Sequence, residues 1–283
     1  MRENTDDHAP RKLAIDELRR LKTERDAAVR NKLAELSEAA TAAFNNGDMV
    51  GSVAMLRNYS SPIAEQTAAG RETQAVRLEK MAAERQTEAD LAVKQVLAAM
   101  NMSVARSVLA GDLQNAINVV RQNQNDLRFM GQAENLKQLV EQLQNILTLQ
   151  GRIMASFAGV NASASDVEFK GQTERIEVRN VSSLTATAFR ITKQGSGIAR
   201  ISRDFNYYDL SVNERLKRLP DTKTPETLIL RGLLAMENRE VSAARQFFIN
   251  SSVSLGRIML EYLDTMAKAG ETAAGKFQSK VKP

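Results

Sequence analysis

Residues 108–124 read VLAGDLQNAINVVRQNQ, and residues 44–60 read FNNGDMVGSVAMLRNYS. Each places a Gly-Asp pair between two runs with helix-like apolar spacing. Shifted by 64 positions (47 to 111), Gly47 falls on Gly111, Asp48 on Asp112, Val53 on Ile117, Leu56 on Val120 and Arg57 on Arg121. A glycine after a helix adopts the left-handed conformation that ends it, and an aspartate behind it caps the free N–H groups of the next. The echo predicts a helical hairpin built at least twice.

Working outward, the run that enters the first turn is RKLAIDELRRLKTERDAAVRNKLAELSEAATAAFNN, residues 11–46. Leu18, Leu21, Val29, Leu33, Leu36, Ala40, Ala43 and Phe44 recur mostly at three- and four-residue steps, an apolar stripe on one helix face. Ser61 and Pro62 stop the second helix and open a third. That third helix runs to Gly111 and has a very polar middle. A fifth helix covers ENLKQLVEQLQNILTLQGRIMASF, with Leu136, Leu139, Val140, Leu143 and Ile146 as its stripe.

The period then changes. Small residues at 159–165 form a linker, and the stretch from Asp166 alternates apolar with polar, as strands do. Gly195, Ser196 and Gly197 mark a turn between two of these strands. Four or five strands in this short span predict a small antiparallel sheet or a compact SH3-like barrel. Ser211 and Glu214 form a capping box for a short helix ending near Leu219. Thr224 and Pro225 then open a last helix pair. The division is a disordered leader (1–10), a helical region (11–158), the linker, a β module (166–219), a helix pair (220–269) and a basic tail (270–283). The fold class is mainly α: elongated antiparallel helical hairpins, with a small antiparallel β module before a C-terminal pair.

The hairpins resemble tetratricopeptide (TPR) repeats, which set a small residue at the helix crossing, an alanine early in the second helix and a bulky apolar residue four further on. Gly232, Ala244 and Phe248 stand so in the last pair, Ala116 and Val120 in the second, and Ser52 and Leu56 in the first. The family's early aromatics and closing proline have no counterpart here. The whole order is similar in layout to the non-catalytic regions of large bacterial kinase-type and sulfatase-modifying-type proteins. That likeness implies an accessory segment, with a membrane anchor further upstream.

Composition narrows the chemistry. The 283 residues are 43% hydrophobic, 26% charged and 5% aromatic, without Cys or Trp. Such a chain favours helix and holds neither thiol nucleophile nor disulfide. No stretch nears the roughly 18 apolar residues of a membrane span. The compartment is unspecified: cytoplasmic, or the soluble portion of an anchored protein. The one histidine, His8, sits beside Asp6 and Asp7 in the leader. No phosphate-binding glycine motif follows a strand. The expectation is therefore no enzyme, no cofactor and no metal.

Net charge is +5. Arg175, Arg179, Arg190, Arg200 and Arg203 accumulate in the β module beside Phe205, Tyr207 and Tyr208. Arginines interleaved with aromatics suit single-stranded nucleic acid, although nearby carboxylates almost cancel their charge. The set Arg175, Arg179, Arg190, Arg200, Arg203 and Tyr207 is one candidate interaction surface. Gly47, Asp48, Gly111, Asp112, Gly232, Ala244 and Phe248 are the structural residues of the hairpins. The expected function is a scaffold that binds another protein or a second copy of itself, with nucleic-acid binding through the β module as the alternative.

Overall fold

The structure is a computed structural model that describes residues 8–158, 164–194 and 196–268, the side chains of 8–10 excepted. The Asp6, Asp7 and His8 cluster, most of the 159–165 linker, Gly195 and the 270–283 tail lie outside what is described. The described chain is mainly helical, with one four-stranded antiparallel sheet ahead of the C-terminal helices. It divides into two compact units, residues 1–92 and 93–283.

The first unit holds α1 (His8–Asn45), α2 (Met49–Arg57) and the first part of α3 (Ala64–Leu109). Its core is Leu36, Ala40 and Phe44 of α1, Leu56 of α2, and Ala75 and Leu78 of α3. Gly70 of α3 lets Leu33 of α1 close in, since a Cβ there would lie 2.4 Å from a Leu33 methyl. The buried Arg71 guanidinium donates to the carbonyls of Leu56 and Ala64, so its positive charge sits where α2 ends in orphan carbonyls.

The turns realise the Gly-Asp chemistry. At Gly47, φ is +92°; Asp48 N–H donates to the Ala43 carbonyl (3.0 Å) and Gly47 N–H to that of Phe44 (3.1 Å). At Gly111, φ is +79°; Asp112 N–H donates to Ser107 (2.9 Å) and Gly111 N–H to Val108 (3.0 Å). A third turn repeats these bonds without glycine. Arg239 has φ +66°, Glu240 N–H donates to Ala235 (2.8 Å) and Arg239 N–H to Met236 (3.0 Å). Asp48 and Asp112 accept from the N–H groups of Gly51 and Asn115, whereas Glu240 makes no side-chain cap. Behind each turn a small residue is fully buried (Ser52, Ala116, Ala244), and so is a bulkier one four further on (Leu56, Val120, Phe248).

The second unit contains the rest of α3, α4 (Leu113–Gln124), α5 (Ala133–Ala155), the sheet, α6 (Val212–Arg218), α7 (Pro225–Glu237), α8 (Val241–Ser251) and α9 (Ser254–Lys268). One hydrophobic core joins helices and sheet. Strands β1 (Ser165–Phe169), β2 (Gln172–Ser182), β3 (Thr185–Gln194) and β4 (Gly197–Asn206) form a meander in that order. A closed barrel would pair β1 with β4; here they stand at opposite edges, so the sheet is open. The segment after β4 covers the β1 edge, with Ser211 N–H donating to Glu168 and Lys170 N–H to Asp209 (both 2.9 Å).

Ser211 caps α6 through Glu214 N–H, but the Glu214 carboxylate turns to Arg218 (2.7 Å), so only half of the expected capping box forms. Thr224 caps α7, and Pro225 is its first residue. At the α7–α8 crossing a Cβ on Gly232 would lie 2.5 Å from the Phe248 ring. Residues 220–269 hold three helices where the sequence predicts two. Ser252, in the left-handed region at φ +53°, separates α8 from α9.

Candidate interaction surface

The register of the sheet sorts the arginines. Ile176 pairs with Arg190, Ala188 with Arg203 and Ala186 with Phe205. Since Ile176, Ala188 and Ala186 are buried, Arg190 and Arg203 share their core-facing side. Arg203 lies over the Phe169 ring (4.7 Å to its centre), with Nε 3.2 Å from the buried Glu174 carboxylate but not aligned to hydrogen-bond it. Phe205 meets Phe157 and Phe169 edge to face at 5.4 and 5.2 Å. Arg175 pairs with Asp166 on the opposite, solvent face. There Arg200 donates to the buried Glu177 carboxylate (3.0 Å), Arg179 forms an ion pair with it (2.9 Å), and Arg179 stacks on Phe189. Arg175, Arg179 and Arg200 thus reach solvent, two of them sharing one negative charge.

Tyr207 does not belong to that surface. It lies in the 3₁₀ turn Tyr207–Asp209 and is only 1% exposed, because it stands two residues beyond the buried Phe205 and keeps to the same core-facing side. Asn206 and Asp209 hold the turn as a reciprocal capping box that the sequence reading missed. Burial pushes the Tyr207 phenol up to about 12, with the Arg215 charge opposing in part. Its hydroxyl forms no hydrogen bond. The neighbouring Tyr208 hydroxyl donates to the Gly111 carbonyl, tying the sheet's last turn to the Gly111–Asp112 turn. A Cβ on Gly111 would lie 2.9 Å from the Tyr208 ring.

Beneath the tyrosines lies an ion pair that spacing could not reveal. Arg215 of α6 is 2% exposed and stands 2.6 Å from the Glu237 carboxylate at the end of α7. Lys170, in the β1–β2 turn, reaches the same carboxylate at 2.9 Å. Burial pushes the Glu237 carboxyl up, but the close positive charges of Arg215 and Lys170 outweigh this and hold it below the usual carboxylate range. This network ties α6, α7 and the sheet together.

A different concavity is open. Ala98, Ala99, Asn101 and Met102 of α3 face Ile258, Glu261 and Thr265 of α9 across a cleft of about 310 Å³. Of its lining only Ile258 is buried, Ala98 and Ala99 are exposed, and the thioether of Met102 is adaptable. Met100 and Met154 are core, Met102 lines this cleft and Met130 is exposed.

Fold and surface together define a mainly helical protein with a small antiparallel sheet; no helix among the described residues is long and apolar enough to cross a membrane. No protein-family model, curated protein or solved structure matches the chain.

Proposed function

We propose that this chain is a non-catalytic scaffold of TPR-like helical hairpins that binds another protein. The observation that carries this reading is the recurrence of one turn at Gly47–Asp48, Gly111–Asp112 and Arg239–Glu240. Each is followed by the same buried small-then-bulky pair. A chain that repeats a packing unit at three places uses it to build surface, and stacked helical pairs present grooves that accept partner helices or extended peptides. The α3–α9 cleft is the groove of choice: an apolar side chain of a partner fits between Ala98, Ala99, Met102 and Ile258, and Asn101, Glu261 and Thr265 can hydrogen-bond the partner's backbone.

The test is affinity capture from the native cell extract at raised salt, comparing the chain with its Ala98→Arg variant. Ala98 is exposed on α3, so the substitution fills the cleft without disturbing the core. Capture of a discrete partner that survives salt and is lost in Ala98→Arg supports the reading; identical capture by both proteins overturns it.

The alternative, nucleic-acid binding, draws on Arg175, Arg179 and Arg200 on the outer face of the sheet. Asp166, Glu168, Glu177 and Asp204 lie on that same face and balance them, so phosphate contact gains little there. Salt-sensitive retention on single-stranded DNA, abolished by Arg175→Glu with Arg200→Glu, would reverse this preference.

A further inference from the structure

From residue 11 to 26, α1 has no packing partner among the described residues of its own unit. Every residue from 11 to 26 is exposed, including Leu13 (71%), Ile15 (51%), Leu18 (65%) and Leu21 (49%). The reason is geometric. Leu33 of α1 lies against Gly70 of α3, and Phe44 lies 4.4 Å under the Arg85 guanidinium, so the two helices run in the same direction. Because α3 begins at Ala64, α1 residues ahead of those contacts have no α3 beside them.

The exposed stripe continues a buried one. At about 100° per residue, Ile15, Leu18 and Leu21 fall on the same side of α1 as Leu33, Leu36, Ala40 and Phe44. The face that packs on α2 and α3 further along therefore runs on into water for roughly 24 Å, counting 16 residues at 1.5 Å each. Sixteen unsupported residues make a marginal helix in water, and a partner helix would remove both weaknesses.

We propose that a second copy of this chain covers the stripe, the two α1 segments 11–28 lying parallel and in register. With Leu18 at heptad position a, Ala14, Leu21 and Ala28 occupy d, Glu17 is a g and Lys22 an e. A parallel pair sets Glu17 of each copy against Lys22 of the other, two attractive contacts by symmetry. An antiparallel pair sets Glu17 against Glu24, which repels. Arg11 and Arg25 at the remaining a positions keep the pair weak and reversible, since a charged a residue specifies register at a cost in stability. The inference goes beyond the α3–α9 groove and does not rest on it.

The whole chain serves for the test. Light scattering over a concentration series is expected to show mass rising toward twice the 31.3 kDa chain. The double variant Leu18→Glu, Leu21→Glu is expected to stay at single-chain mass with an unchanged melting curve, because both side chains are exposed. The chain has no cysteine, so Leu21→Cys introduces a lone thiol; in a parallel pair two copies face each other and oxidise to a covalent dimer. A wild-type chain that stays at single mass throughout overturns the inference, as does a dimer that survives the double variant. Crosslinking only between Leu18→Cys and Leu21→Cys mixed together would overturn the parallel arrangement. Ala98→Arg should leave the mass series unchanged, so this result and the partner-capture result can fail separately.

Discussion

Arg239 occupies a left-handed position that glycine fills at 47 and 111. A side chain in that region costs about 1 kcal/mol, so Arg239→Gly is expected to stabilise the protein by roughly 0.5–1 kcal/mol, read as a higher urea midpoint. The glycines themselves are not equivalent. Both alanine variants carry the backbone strain, but only at Gly111 does the new methyl also meet a ring, that of Tyr208, at 2.9 Å. Gly111→Ala should therefore cost about 1 kcal/mol more than Gly47→Ala in the same titration. At Tyr207 the raised phenol pKa has a definite sign. The folded state holds its proton above the ordinary value of 10.0, so this stability is present below pH 10 and is lost as pH rises toward about 12. Tyr207→Phe should remove that part of the alkaline destabilisation. At pH 7 it should change stability by less than about 1 kcal/mol, since the hydroxyl has no hydrogen bond to lose.

Between elements, the Arg215–Glu237 pair joins α6 to α7 and, through Lys170, to the sheet. Glu237→Gln leaves a buried guanidinium without its counter-ion, and about 2 kcal/mol of destabilisation is expected, the partial exposure of Glu237 reducing the cost of a fully buried break. Its carboxyl is held below the ordinary 4.5. The stability it contributes is therefore present above that pH and is lost as pH falls through the folded value. An acid titration monitored by circular dichroism should show a shallower fall for Glu237→Gln than for the wild type. These joints mark the limit of what the residues disclose in order. Gly47–Asp48, Gly111–Asp112 and the Thr224–Pro225 helix start were readable because their chemistry is local. Arg215 and Glu237 were not, because nothing between them in sequence marks their meeting. Tyr207 and Tyr208 look alike in composition, and it is the alternation from the buried Phe205 two residues earlier that sets Tyr207 in the core. The α8–α9 break escaped because a serine, neither glycine nor proline, takes the left-handed position.

For the molecule as a whole, the two cores draw on separate stretches of chain: the second begins at Met100, apart from Val93, Val96 and Leu97 packed against it. A protein starting at residue 93 is therefore expected to melt cooperatively by itself, with a near-ultraviolet signal from Tyr207, Tyr208 and Tyr262. Loss of that cooperative transition would show that the second unit depends on the first. The bond from Tyr208 to Gly111 adds a consequence for biosynthesis. It ties together positions 97 residues apart, so the α3–α4 turn leaves the ribosome long before the tyrosine that secures it. At typical elongation rates of about 5–20 residues per second that interval lasts roughly 5–20 s. Nascent chains halted before Tyr208 should carry a turn at Gly111 that is open to protease, and longer ones should not.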